Sequence, residues 1–218
     1  DKTGTLTQNK MQIHRTNFYG LTEQQLSTDQ MSQFIAEGIA VNSTASLDFS
    51  KKEPTAVGNP TEGALLLWLH ACGLDYSALK EQTERLNEVP FSTERKHMAT
   101  LVRSASGKEV LYVKGAPEIV FDMCHTTCGN VTRETINKQL STYQQQAMRT
   151  LGFAYQVMEP GETAIADGKV VAKRLTFLGI VAINDPVRPD VPAAVKECMD
   201  AGISVKIVTG DTPGTAKE

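Results

Sequence analysis

The first seven residues, Asp1-Lys2-Thr3-Gly4-Thr5-Leu6-Thr7, are the densest cluster of chemically capable groups in this chain of 218 residues. An aspartate carboxylate followed by a small turn with Gly4 can present an oxygen to a phosphorus atom while backbone N–H groups face the phosphate oxygens. Phosphoryl transfer asks for in-line placement and charge neutralisation, which Lys2 and Mg2+ can supply. Near the other end, Thr209-Gly210-Asp211 follows a β-branched run, residues 203–208. A hydroxyl and a glycine N–H at a strand end can bind phosphoryl oxygens.

The opening residues match the phosphorylation signature of the P-type ATPases, and with the later motifs the whole chain resembles the large cytoplasmic loop of such a pump. The resemblance implies that Asp1 is the phosphorylated nucleophile, that Lys2, Thr209, Gly210 and Asp211 serve the same centre, and that Asp1 and Thr3 hold Mg2+. Thr3 separates two enzyme classes. Phosphatases of the related haloacid dehalogenase superfamily usually carry a second Asp two residues after the nucleophile as general acid and base. With Thr3 there, an aspartyl phosphate should persist until something else positions water, as a pump requires. A phosphatase and a nucleotide-binding module without turnover are the alternative classes.

Four further segments resemble the nucleotide-binding domain of that family. Lys114-Gly115-Ala116-Pro117-Glu118 follows an expected strand and opens a helix; Gly115 would let a ligand approach the backbone closely, and the resemblance puts Lys114 in the ATP pocket. Pro117 is explained locally as the first helical residue. Phe91-Ser92-Thr93-Glu94-Arg95-Lys96 resembles the segment that stacks an aromatic on adenine and brings Lys96 near the phosphates, with Thr93 where some calcium pumps carry Arg. In Asn59-Pro60-Thr61-Glu62, Asn59 reads as an N-cap, Pro60 as the first helical residue and Glu62 as the partner that completes a capping box. The resemblance instead gives Glu62 to the adenine amino group. Arg149 is expected in the last turn of a helix, where a cation suits the dipole; the resemblance sets it across the nucleotide phosphates.

These side chains need elements to carry them. Capping and periodicity predict helices over 28–41, 60–72, 76–85, 117–123 and 132–150. Strands are expected over 98–104 and 110–114, joined by a turn at Ser106-Gly107, and again over 152–158. Residues 159–171 read as a loop or a short irregular hairpin. An apolar run, 175–183, leads to a turn with Pro186 and Pro189, then a helix capped by Asp190 and stopped at Gly202, then a strand over 203–208. A helix feeding a buried strand is half of a parallel α/β unit, with its ligand site beyond the strand's carboxyl end. The resulting fold class is α/β: an α+β nucleotide-binding domain with an antiparallel sheet flanked by helices, plus part of a Rossmann-like phosphorylation domain of haloacid dehalogenase type. The expected division is 1–10 and 184–218 for the phosphorylation domain and 11–183 for the nucleotide-binding domain. Asp185-Pro186-Val187-Arg188-Pro189 resembles the hinge between them, and the other crossing should lie near residues 8–11.

Composition limits the remaining choices. With 40% hydrophobic and 22% charged residues the chain belongs to the ordinary globular class. A net charge of -3 without a clustered basic face argues against nucleic acid. No apolar stretch approaches the ~18–20 residues of a spanning helix, so the piece itself is expected to be soluble. Four cysteines are too few for a disulfide scaffold, and Cys124-His125-Thr126-Thr127-Cys128 has metal-binding residue types without a second pair. The expected setting is the cytoplasmic loop of a multi-pass membrane protein. Its partners would be the transmembrane helices, the actuator domain, the rest of the phosphorylation domain and a transported cation, taken as Ca2+. The family's distal Lys and acidic Mg2+ segment would follow Glu218, so the piece alone should bind nucleotide weakly without forming a stable aspartyl phosphate.

Overall fold

The structure is a computed structural model and describes residues 4–206, the side chain of Asn130 excepted. Strand β1 (Gln12–Phe18) precedes helix α1 (Gln30–Val41), a small hairpin of β2 (Ser46–Asp48) and β3 (Thr55–Val57), α2 (Pro60–Ala71) and α3 (Tyr76–Glu81). A meander of β4 (Glu84–Val89), β5 (His97–Arg103) and β6 (Glu109–Gly115) follows, then α4 (Pro117–Met123), β7 (Thr126–Thr127) and α5 (Arg133–Gln145). Strand β8 (Arg149–Val157), the hairpin β9 (Ile165–Ala166) and β10 (Lys169–Val170), β11 (Thr176–Asn184) and α6 (Val191–Asp200) complete the order.

The main sheet runs β1-β11-β8-β6-β5-β4, antiparallel between all neighbours in that order, with β7 added in parallel to β11. Both faces of its centre are covered. Leu178, Val181 and Ile183 of β11 pack with Ile39, Leu65 and Leu69 from α1 and α2. Phe177, Ile180 and Ala182 pack on the other side with Val120, Ile136 and Leu140 from α4 and α5. This two-sided burial is why residues 175–183 are apolar without alternation. At Gly179, φ is 152° and an added Cβ would lie 2.1 Å from Asn17 O, so the β11 irregularity there demands glycine.

Local signals placed α1, α2, α4 and the β5–β6 hairpin correctly. Asp29 caps α1 by accepting from Ser32 N, and Asn59 caps α2 by accepting from Thr61 N and Glu62 N. Gly107, at φ 80°, forms the β5–β6 turn. The segment 159–171 holds the β9–β10 hairpin.

Other expectations are corrected. The helix starting at Tyr76 ends at Glu81, and β4 takes over at Glu84. Pairing with β5 overrides the helical leaning of Glu84-Arg85-Leu86, and Arg103 reaches both Glu84 and Glu109 across three strands. Helix α5 stops at Gln145 because Ala147 adopts φ 53°, with Ala147 N donating to Gln144 O and Met148 N to Tyr143 O. That closure normally signals itself by Gly or Asn; here an alanine hides it. Asp190 does not cap α6: its backbone is helical and its carboxylate pairs with Arg188. Gly202 does end α6, with Ile203 N donating to Cys198 O. No strand forms over 203–206, the described part of the expected 203–208: Ile203 and Val205 are exposed, and no described strand pairs with them.

The two segments expected as crossings lie side by side. Thr7 bridges Val187, Gln8 N donates to Pro186 O at 2.9 Å, and Arg188 N donates to Leu6 O at 2.9 Å. Asp185 accepts from Thr7 Oγ1 at 2.6 Å and from Lys10 N at 3.0 Å. Among the described residues, no helix is long and apolar enough to cross a membrane.

Candidate functional site

A cavity of about 440 Å3 opens where the first turn of α2, the β4–β5 turn and the β6–α4 junction converge, with Thr150 and Leu151 of β8 in its wall. That volume falls within the ~300–1,000 Å3 of small-molecule sites. The β4–β5 turn is built by Lys96 N donating to Ser92 O at 2.8 Å and Arg95 N to Ser92 Oγ at 3.1 Å. Lys96 takes φ 55° to close it. Phe91 and Lys96 therefore stand at the same mouth, and Phe91 keeps 58% of its surface exposed. An aromatic face left open beside a cation suits a flat, anionic ligand.

Glu62 and Lys114 form the floor. They are 6% and 4% exposed, and Lys114 Nζ lies 2.8 Å from Glu62 Oε1. Although paired by charge, Nζ has no aligned hydrogen-bond acceptor. Glu62 Oε2 is taken from the other side by the loop after α1: Thr44 Oγ1 donates at 2.6 Å, Thr44 N at 2.7 Å, Ala45 N at 3.1 Å and Ser43 Oγ at 3.4 Å. Burial pushes the Glu62 carboxyl up, but Lys114 and the bonds from Thr44 outweigh it and hold it below the usual range. Burial pushes the Lys114 ammonium down, with Glu62 opposing.

Packing of the protein itself requires Gly115. A Cβ there would meet Lys96 O at 2.3 Å and His97 Cα at 2.6 Å, because β5 and β6 pair His97 with Gly115 and Ala116 N donates to Lys96 O. This close backbone approach locks the Lys96 turn onto the start of α4. The capping box is likewise corrected. Asn59 caps as expected, but the Glu62 side chain turns to Thr44, Ala45 and Lys114.

Of the six expected ligand-contacting residues, Glu62, Phe91, Lys96, Lys114 and Gly115 line the one cavity. Arg149 does not. It begins β8, opposite Ile183, and is exposed, while its neighbours Thr150 and Leu151 form the wall. Asp1, Lys2, Thr3, Thr209, Gly210 and Asp211, and with them the expected Mg2+ ligands, lie outside the described residues. Thr44, Glu88 and Met98 also line the cavity and carry no local motif; only the tertiary fold brings them there. In the Cys124–Cys128 segment, Cys124 Sγ donates to Val120 O and Cys128 Sγ faces Met31 Sδ. Among the described residues no group of three or more His, Cys, Asp or Glu could hold a metal ion.

A family model described as P-type ATPase, cytoplasmic domain N, matches residues 30–190. The chain belongs to the P-type ATPase family. Every residue lining the cavity falls inside the matched P-type ATPase span. Calcium-transporting ATPase PAT1 of Dictyostelium discoideum is 35% identical, across 100% of this chain and 20% of that protein. Plasma membrane calcium-transporting ATPase 4 of Bos taurus is 33% identical, across 100% of this chain and 20% of that protein. A calcium-transporting ATPase of Bacillus subtilis is 30% identical, across 100% of this chain and 27% of that protein. The chain thus spans about a fifth to a quarter of the length of these P-type ATPase relatives.

Proposed function

We propose that the cavity binds ATP and that the chain is the nucleotide-binding part of an ATP-driven cation pump. The observation that carries this is the convergence of an exposed Phe91, Lys96 and the buried Glu62–Lys114 pair on one cavity. Adenine stacks on Phe91, Glu62 accepts from its amino group with Lys114 beside it at the base end, and Lys96 faces the negative end of the nucleotide.

In the whole protein the γ-phosphoryl group passes to Asp1. The terminal anhydride P–O bond of ATP breaks, an acyl phosphate forms on the carboxylate and ADP leaves. Lys2, Thr209, Gly210 and Asp211 surround the transferred group, with Asp1 and Thr3 as Mg2+ ligands. Residues 11–183 act as the nucleotide-binding domain, while 1–10 and 184–218 belong to the phosphorylation domain. The paired crossings at Thr7 and Val187 support a joint of that kind, and two prolines restrict its backbone to few dihedrals. Ca2+ is the proposed ion because the relatives above are named calcium-transporting. The proposed setting is the cytoplasmic side of a membrane, with membrane helices, an actuator domain and the rest of the phosphorylation domain as partners.

Titration of the chain with ATP, followed by calorimetry, tests the site. Phe91→Ala and Lys96→Ala should each weaken binding, and unchanged affinity in both would show that the site lies elsewhere.

A further inference from the structure

Glu62 has two oxygens in different situations. Oε2 is approached by four donors from residues 43–45, whereas among the described residues Oε1 meets only the Lys114 ammonium. A carboxylate offers about four lone-pair sites in all, so Oε2 has no room for a further donor. Any amino group of a ligand must use the Oε1 edge. Two of the four donors belong to Thr44, including both of the shortest bonds, and Thr44 itself lines the cavity. The α1–β2 loop that carries it is anchored independently: Asn42 N donates to Gly38 O, Thr100 Oγ1 donates to Asn42 Oδ1 at 2.9 Å, and Lys80 Nζ donates to Ser43 O at 3.4 Å.

We infer that Thr44 is a positioning residue for base recognition: it fixes the Glu62 carboxylate so that Oε1 faces the ligand, and thereby selects purines bearing a 6-amino group. The inference rests on the ATP reading of the cavity. A carboxylate free to rotate could offer either oxygen, and a ligand's amino group would have to order it on binding. Held chiefly by Thr44, with Ser43 and Ala45, it is already in place. Glu62 acts directly on the base; Thr44 acts through Glu62.

The test compares ATP with purine riboside 5′-triphosphate, which lacks the 6-amino group, on the wild-type chain, Thr44→Val and Thr44→Ser. The wild type should prefer ATP by at least about tenfold, the fold-change of one hydrogen bond to a charged group. Thr44→Val removes the Oγ1 bond and leaves Thr44 N, Ala45 N and Ser43 Oγ on Oε2, so it should reduce that preference by about threefold, through ATP affinity, while purine riboside 5′-triphosphate binds as before. Thr44→Ser, which keeps the hydroxyl, should retain the preference. Thr44→Val loses one bond to the buried carboxylate and should lower the melting temperature modestly; unchanged binding of purine riboside 5′-triphosphate reports that the cavity is intact. A preference unchanged in Thr44→Val, an equal loss of both ligands, or a wild type without preference would overturn the inference while leaving the cavity a nucleotide site. Failure of the wild type to bind either ligand would overturn the ATP reading itself and the inference with it.

Discussion

Glu62 Oε1 and Lys114 Nζ lie 2.8 Å apart with both side chains buried, and this pair ties the first turn of α2 to the penultimate residue of β6. Removing one member strands the other charge. Lys114→Met should therefore destabilise the fold by about 3–5 kcal/mol. Adding Glu62→Gln should recover part of that loss, leaving a coupling of at least ~1 kcal/mol in a double-mutant cycle. Urea unfolding of the four proteins measures it.

Acid should unfold the chain partly through two carboxylates. Asp29, at the α1 N-cap, is held down to about 2 by hydrogen bonds from the Ser27 side chain and from Ser32. Glu62 is also below its ordinary range, with Lys114 and Thr44 overcoming the effect of burial. For a group lowered in the fold, the stabilisation is complete above the unfolded value, roughly 4, and disappears as pH falls through the folded one. Asp29→Asn should flatten the fall of stability between about pH 4 and pH 2, and Glu62→Gln should flatten it in the same direction. Unfolding free energies measured at a series of pH values report both slopes.

Phe91→Ala should separate binding from folding. With 58% of its surface exposed, the ring contributes little to the core, so stability should change by no more than ~0.5 kcal/mol. Loss of stacking should weaken ATP binding by about 1–3 kcal/mol. Calorimetric titration beside a denaturation curve distinguishes the two effects.

Gly115→Ala should affect folding and binding together. Its Cβ would fall 2.3 Å from Lys96 O, forcing β5 and β6 apart, at a cost of about 1–3 kcal/mol in unfolding experiments. ATP affinity should fall as well, because the turn that presents Lys96 moves with that backbone.

The parts legible from sequence were those whose physics is local. Asn59 and Pro60 start α2 through a cap and a preset dihedral, and Ser106-Gly107 closes a hairpin through a positive φ. The cavity lining too was largely readable, through the motif segments around Phe91 and Lys114. What escaped depended on the rest of the fold. Glu62 has the spacing of a capping box, yet its carboxylate is claimed by a loop 18 residues upstream and a strand 52 residues downstream. Strand β4 is polar and lies at the sheet edge, so neither alternation nor an apolar run marks it. Arg149 reads as helical from sequence because the turn that ends α5 is made by Ala147 instead of a glycine. At Gly115 the close backbone approach comes from the protein itself, through the Lys96 carbonyl, a contact that no local motif announces.

Backbone amide NMR shifts recorded during an ATP titration test the central claim most directly. Saturable shifts should cluster at Thr44, Glu62, Lys96, Gly115 and Leu151, the walls of the cavity beneath Phe91. The absence of saturable shifts, or shifts centred instead on the separate cavity lined by Phe49, His70 and Ser77, would contradict it.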